Sequence, residues 1–401
     1  MPGTIPTAKS SSHAPTPKAP RVVTIWNLYG PYHLARCQAL ADLGCEVIRF
    51  SHCRASVDYP FFGSIYEADV ILNDCPSDQI NAVLSFWRTL RRLREQRPAL
   101  IMTCGYQCIE TLASVVYSWC HIGHRPIVLL MVENQSSDRR RHWLVEYAKR
   151  VYLRLFDGFI AGGITHSMYL RELGVVDETS VVLGYDCVDN TGIRATARSL
   201  RATVPSPVAT SYFLCIARLI EKKNVIGLIR AYSKYLQSLS PGQLGWALVI
   251  CGDGDQRGEL ERLIDDLALQ GVVHLQGGID DFREVVRYYA FASCFILASS
   301  HSEQWGLVVN EAMAAELPVL VSKECGCAPH LVDNKINGMV FDPVDIDDMT
   351  TCMSWIHDRP EAERRAIGLN SWMIVEGYSP RVLARRILRL YDAIHERQGA
   401  Q

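Results

Sequence analysis

From Arg21 onward the chain alternates short, fully apolar runs with stretches whose apolar positions recur every three to four residues. "RVVTIWN" reads as a strand, and "YHLARCQALADLG" as a helix closed by Gly44, because glycine reaches the left-handed conformation of a helix end without strain. "CEVIRF" and "ADVILN" follow as strands, "INAVLSFWRTLRRLREQ" as a helix and "ALIMTC" as a strand. A helix near 106–121, the strand "PIVLLMV", a helix over 142–155, and the runs "FDGFIAGG" and "SVVLG" complete this half. Strands that are apolar throughout and separated by helices predict a parallel sheet covered on both faces.

Over 189–210, "DNTGIRATARSLRATVPSPVAT", the alternation lapses and Pro, Thr and Arg accumulate, which reads as a linker. The alternation then restarts through "SYFLCIAR", "WALVICGDG", "VVHLQG", "CFILASS", "LPVLVS" and "GMVFDP", each followed by a helix. The final "SPRVLARRILRLYDAIHER" opens on a Ser-Pro helix start and is amphipathic. The division expected is a disordered tail at 1–20, an α/β domain at 21–188, the linker, a second α/β domain at 211–378, and a terminal helix and tail at 379–401. Two doubly wound domains set a cleft between the carboxyl ends of two parallel sheets, where open α/β sheets bind ligands.

Composition narrows the class. The 401 residues suit two cores, and 48% hydrophobic with 21% charged residues is globular. A formal net charge of −2 argues against a nucleic-acid partner. The fourteen cysteines are scattered, mostly within apolar runs, and form no paired CxxC motif. They read as buried free thiols of a reducing compartment, with no metal site expected at Cys325 and Cys327 or at Cys104 and Cys108. The first twenty residues carry no signal-peptide core and no run is long enough to span a membrane, so a cytoplasmic location is expected.

Four segments after strands of the second domain carry candidate chemistry. In "ARLIEKKNV", Arg218 ends a strand and Lys223 lies in the turn into a helix, two cations suited to a diphosphate. In "CGDGD", Gly252 and Gly254 allow backbone to approach a ligand, although an ordinary turn explains them equally. "VVHLQGGID" places His274, Leu275 and Gly277 at a strand end. "SEQWGLVVNEAMAAELPVLVS" sets Glu303, Gln304, Trp305, Gly306 and Leu307 in a loop entering a helix, with Glu311 on its second turn.

In this order the four segments resemble glycosyltransferase family four, the group 1 retaining sugar-nucleotide enzymes of the GT-B fold. The family's second domain carries GRLxxxKG/N, a GdG turn and an E-x(7)-E motif; the likeness is dense from about 210 to 342 and looser in "GPYHLARCQAL", "DRRRHWLVEYAKR" and "VLGYDCVDN". The resemblance implies a GT-B fold whose C-terminal helix crosses back to the first domain. It implies that Arg218 and Lys223 stabilise a leaving diphosphate, that Glu303 and the backbone of 304–307 grip the transferred sugar, and that Glu311 accepts from the ribose. The turn at His274–Gly277 would contact the base. No cofactor and no metal are expected, the donor being a UDP- or GDP-sugar and the acceptor a glycan, a lipid-linked or another hydroxyl. Gly30, His33, Glu133 and Asn134 are the acceptor-side candidates.

Two departures stand out. Glu316 occupies a position where the family usually has glycine, which suggests a strained or rearranged helix end. "ENQSSD" follows the strand "PIVLLMV" where many members carry a histidine. The basic, aromatic segments at 86–94 (Phe86, Trp87, Arg88, Arg91, Arg92, Arg94) and 139–155 suit either anionic lipid headgroups, with a peripheral membrane location, or an ordinary solvated helix face. A non-catalytic sugar-nucleotide-binding protein and an epimerase of the same fold are the alternative functions.

Overall fold

The computed structural model describes residues 19–54, 68–106, 108–121, 125–133 and 143–399. Residues 1–18 of the tail predicted at 1–20 therefore lie outside the described residues, as do Asn134 and the arginines at 139–141.

The first unit runs β1 (Arg21–Trp26), α1 (Pro31–Ala41), β2 (Glu46–Ser51), β3 (Val70–Ile71), α2 (Ala82–Gln96), β4 (Leu100–Cys104), α3 (Ile109–Trp119), β5 (Ile127–Val132), α4 (Trp143–Leu153), β6 (Gly158–Ala161), α5 (Ile164–Glu172) and β7 (Val181–Leu183). After α6 (Asn190–Thr203), the second runs β8 (Tyr212–Ile216), α7 (Val225–Ser238), β9 (Ala247–Cys251), α8 (Arg257–Asp266), β10 (Val273–Gly277), α9 (Phe282–Phe291), β11 (Cys294–Leu297) and α10 (Leu307–Ala314). It closes with β12 (Val319–Ser322), α11 (Ala328–Leu331), β13 (Gly338–Phe341), α12 (Ile346–His357), α13 (Glu361–Val375) and α14 (Pro380–Gly399).

Two sheets result, ordered β3-β2-β1-β4-β5-β6-β7 and β10-β9-β8-β11-β12-β13. Every named strand pair is parallel. The two-residue side-chain period of a strand divides each run between two cores. In β8, Tyr212 and Leu214 face the layer of α6, α9 and α10, whereas Phe213 and Cys215 face that of α7, α8 and α12. Strand order reverses beside β1 in one sheet and β8 in the other, which is where crevices open.

α14 returns to the first unit, as the resemblance implied. Leu383, Ala384, Ile387, Leu390 and Ile394 recur at helical spacing and bury against Trp26, Leu100 and Leu129. At about 1.5–3 kcal/mol for each large side chain taken out of water, this stripe anchors the helix firmly.

The segment read as a linker is mostly helical. Ile193, Ala197 and Leu200 of α6 are buried in the core of the second unit. The arginines between them, which suggested irregular chain, have a partner: Arg194, Arg198 and Arg201 all converge on Glu316. Glu316 itself sits at φ 65°. Its N–H donates to Met313 O (3.0 Å) and the Leu317 N–H to Ala312 O (3.1 Å). That is an intact Schellman end, so the glycine position is filled by a strained residue without rearrangement of the helix.

Candidate active site

The second unit contributes the cationic wall. After β8 the chain turns through Arg218 and a short 3-10 turn, Glu221–Lys223, to Asn224, which caps α7 and donates to Pro343 O at 2.8 Å. The Ser300 N–H donates to Lys222 O at 2.8 Å, so the loops after β8 and β11 brace each other. This places the Lys223 ammonium against the Glu303 carboxylate, which also accepts from Ser299 Oγ at 2.9 Å. Burial opposes the Glu303 charge, but Lys223, Lys222 and Ser299 outweigh it and hold the carboxyl below its ordinary range. Arg218 stays exposed and takes no carboxylate partner among the described residues. Below these side chains lies a cavity of about 590 Å³ lined by Arg218, Lys223, Gly252, Glu303, Gln304 and Gly306, with Trp305 and Leu307 also on its wall.

Several expected donor contacts take other places. Gly254 does not line the cavity; a Cβ there would stand 2.5 Å from Leu219 O, and one at Gly252 would stand 1.9 Å from Ala217 O. The two glycines let the turn after β9 cross the turn after β8, which is a packing requirement. His274 and Leu275 lie within β10 and not on the cavity wall; Gly278, Ile279 and Asp280, past the strand's end, line it instead. Trp305 is nearly buried, donates from Nε1 to Asn310 Oδ1 (2.8 Å) and packs on His330 and Tyr378.

Glu311 departs most from expectation. It is only 2% exposed and does not line the cavity. Tyr289 OH donates to its Oε2 at 2.8 Å, and Tyr32 OH, from α1 of the first unit, donates to its Oε1. Burial raises its pKa, and the two phenols only partly counter that. In this arrangement the carboxylate assigned to the ribose ties the two units together.

The first unit offers a second cavity of about 470 Å³, sharing Glu133, Gln304 and Leu307 with the first. Gly30, at the N-cap of α1, donates its N–H to His33 Nδ1 at 3.0 Å, and the ring lies 4.9 Å from that of Trp26. Burial and the nearby Arg36 push the His33 pKa down to about 3. The ring is neutral, with its proton on Nε2 because Nδ1 accepts. His33 therefore both caps α1 and lines this cavity, as does Gly30.

Glu133, directly after β5, is exposed and stands where the cavities meet. Arg36, 5% exposed, lies 4.1 Å over the Tyr185 ring and donates to Cys187 O at 3.3 Å. Burial disfavours its charge, and Tyr185, Cys187, Asp186 and Glu133 more than restore it. Tyr32, Arg36, Asp186 and Tyr289 escaped the sequence reading. The one local signal was Arg36 on the otherwise apolar face of α1.

All fourteen cysteines are outside disulfides and ten are buried; Cys104 and Cys108 both line the second cavity. Among the described residues no group of three or more His, Cys, Asp and Glu side chains is arranged to hold a metal ion. No helix among them is long and apolar enough to cross a membrane.

On α2 three of the four arginines are engaged: Arg91 and Arg92 pair with Glu95, and Arg88 donates to Asn73 Oδ1 (3.1 Å), while Phe86 stands edge-on to Trp87. The larger apolar exposure is on α4, with Trp143 at 70% and Tyr147 at 62% beside Leu144, Val145 and Val151. Lys149 of that helix lies 5.2 Å over the Tyr106 ring, and Tyr106 lines the second cavity.

Residues 198–369 match the family model described as glycosyl transferases group 1. The lipopolysaccharide core biosynthesis glycosyltransferase LpsE of Rhizobium meliloti is 28% identical over 200 residues, 50% of this chain and 54% of that protein. The alpha-monoglucosyldiacylglycerol synthase of Acholeplasma laidlawii is 26% identical over 178 residues, 44% of this chain and 42% of that protein. The matched region spans about half the length of these curated relatives. The structure of Anabaena HepE in complex with UDP superposes with a TM-score of 0.70 at 18% identity, covering 93% of this chain and 100% of that one. That likeness shows the fold, which is GT-B.

Proposed function

We propose that this chain is a group 1 glycosyltransferase that moves a sugar from a UDP- or GDP-sugar to a hydroxyl acceptor with retention at the anomeric carbon. The observation that carries this reading is the cluster of Arg218, Lys223 and Glu303 at the mouth of α10, on a cavity that adjoins a second one. Lys223 and Arg218 neutralise the diphosphate as the bond to the sugar breaks, and the first turn of α10 adds backbone N–H groups. Two cations and a helix end supply the positive charge that a metal would otherwise bring, so turnover proceeds without one. Glu303, kept ionised by Lys223, accepts from hydroxyls of the sugar.

The solved structure of HepE with UDP supports a nucleoside diphosphate in this fold, and the name of the Acholeplasma relative supports a lipid acceptor. An acceptor carried on a lipid also accounts for the exposed apolar residues of α4 beside the second cavity. In this reading the protein works at a membrane surface from the cytoplasmic side.

The test is a panel of UDP-, GDP- and ADP-sugars followed by release of the nucleoside diphosphate, with and without a chelator. Turnover of one donor in the presence of chelator is expected. Tight binding of a donor with no release on any glycan or glycolipid acceptor would favour a binding protein instead. Co-sedimentation with anionic vesicles, weakened by Trp143→Ser with Tyr147→Ser, checks the membrane component; equal recovery with neutral and anionic vesicles contradicts it.

A further inference from the structure

One histidine outside the diphosphate and sugar contacts touches the first unit and the donor loop of the second. The Ile164 N–H, at the start of α5, donates to His330 Nε2 on α11 at 2.9 Å. Because Nε2 accepts, the ring proton sits on Nδ1, which faces Tyr378 OH at 3.2 Å. The His330 ring lies 5.3 Å from the Trp305 ring at 32°, and Tyr378 flanks Trp305 at 6.0 Å. Gly163 permits this approach of the two units: a Cβ there would stand 2.5 Å from His330 Nε2 and 2.7 Å from Trp305 Cζ3.

The donor loop is tied to the chain that carries His330. Directly before α11, the Gly326 N–H donates to Glu303 O at 2.9 Å and the Cys327 N–H to Trp305 O at 3.1 Å. Trp305 Nε1 donates to Asn310 Oδ1, and Asn310 Nδ2 donates to Asp186 O of the first unit at 3.2 Å. A displacement of His330 is therefore passed to Glu303 and Trp305, both on the wall of the donor cavity. His330 is half-buried, so a proton reaches it. The titratable groups on the elements packed against it are His166 of α5, Glu303 and Cys327, Glu376 and Tyr378 of the turn before α14, and Arg386 of α14. Those of α13 are confined to its first five residues. Burial alone shifts the ring, lowering its pKa from the ordinary histidine value.

We propose that neutral His330 is a positioning residue that latches the two units together and so sets the donor loop for the sugar nucleotide, and that protonation releases the latch. The effect on the donor rests on the glycosyl-transfer reading; the latch does not. A protonated Nε2 cannot accept from the Ile164 N–H, so two donors would face each other. The released ring has the ordinary pKa of about 6.5 and the latched ring a lower one, so the latch is complete above that pH and weakens as pH falls below it.

Two variants separate the parts of this arrangement. His330→Gln keeps an acceptor for the Ile164 N–H and cannot titrate, whereas His330→Phe keeps a ring on Trp305 and cannot accept. Donor KM is read from nucleoside diphosphate release with UDP-glucose and GDP-mannose against pH, and exchange of the Ile164 amide is read by mass spectrometry of the full chain without donor. At neutral pH His330→Phe is expected to raise donor KM about 5-fold with kcat within about 3-fold, and to speed Ile164 exchange about 5-fold, the loss of one hydrogen bond. His330→Gln should match the wild type at neutral pH and lose the rise in KM that the wild type shows in acid. Wild-type KM and exchange in His330→Phe, or an acid rise in KM that persists in His330→Gln, overturns the latch. If neither donor is turned over, the glycosyl-transfer reading fails. Ile164 exchange then still decides the latch: faster exchange in His330→Phe with wild-type exchange in His330→Gln supports it, and equal exchange in all three proteins overturns it.

Discussion

Replacing Glu316 with glycine tests whether three arginines outweigh a strained backbone. At φ 65° a residue with a Cβ costs about 1–2 kcal/mol relative to glycine, so Glu316→Gly removes that strain. It also removes the carboxylate that Arg194 and Arg201 contact while partly shielded, with Arg194 lying 4.0 Å over the Trp372 ring. Charge-assisted hydrogen bonds at about 1.5–3 kcal/mol each, discounted for the exposure of the arginines, lose about 3–4 kcal/mol in total. Arg198 is mostly exposed and adds little. The net is a destabilisation of about 2 kcal/mol, a fall in Tm of about 4–8 °C for a domain of this size. Differential scanning calorimetry of both proteins reads it directly. Burial opposes the Glu316 charge, but Arg198 and Arg194 hold its carboxyl below the ordinary value. The stabilisation is therefore complete above the unfolded glutamate pKa of about 4.3 and vanishes as pH falls through the lower folded value. A Tm for Glu316→Gly equal to or above that of the wild type at pH 7 would refute the reasoning.

Three further outcomes follow from the geometry. Lys223→Ala should lower kcat by about 10²–10³-fold in the nucleoside diphosphate release assay, since it removes a cation from the leaving group; a wild-type rate would contradict that role. Tyr32→Phe frees one oxygen of Glu311 and one link between the units, so nucleotide affinity by calorimetry should rise about 5-fold, a coupling of the usual size. Unchanged affinity would mean that Glu311 does not meet the nucleotide. Gly254→Ala drives a Cβ against the Leu219 carbonyl and should lose about 1–3 kcal/mol of stability by urea titration; wild-type stability contradicts that packing.

The alternation of apolar strands and helices was legible because each strand is buried on both faces, and the terminal helix because its apolar stripe is continuous. Lys223, Glu303 and Gly306 were legible because local chain geometry alone brings them to strand ends. α6 was missed although Ile193, Ala197 and Leu200 keep helical spacing, because the arginines between them find their counter-charge 115 or more residues away. His274 and Leu275 were misplaced by a few residues since β10 extends to Gly277 and only the chain beyond it faces the cleft. Tyr32 with Glu311, and Arg36 with Glu133 and Asp186, meet only once the two units close or the sheet assembles. No spacing rule reaches such pairs.

The account stands most directly on nucleotide binding between the two units. Calorimetric titration of UDP and of GDP into the wild type, Arg218→Ala and Lys223→Ala should give one site for at least one nucleotide, weakened about 10-fold or more in each variant. Absence of binding for every nucleoside diphosphate, or equal affinity across the three proteins, would contradict it.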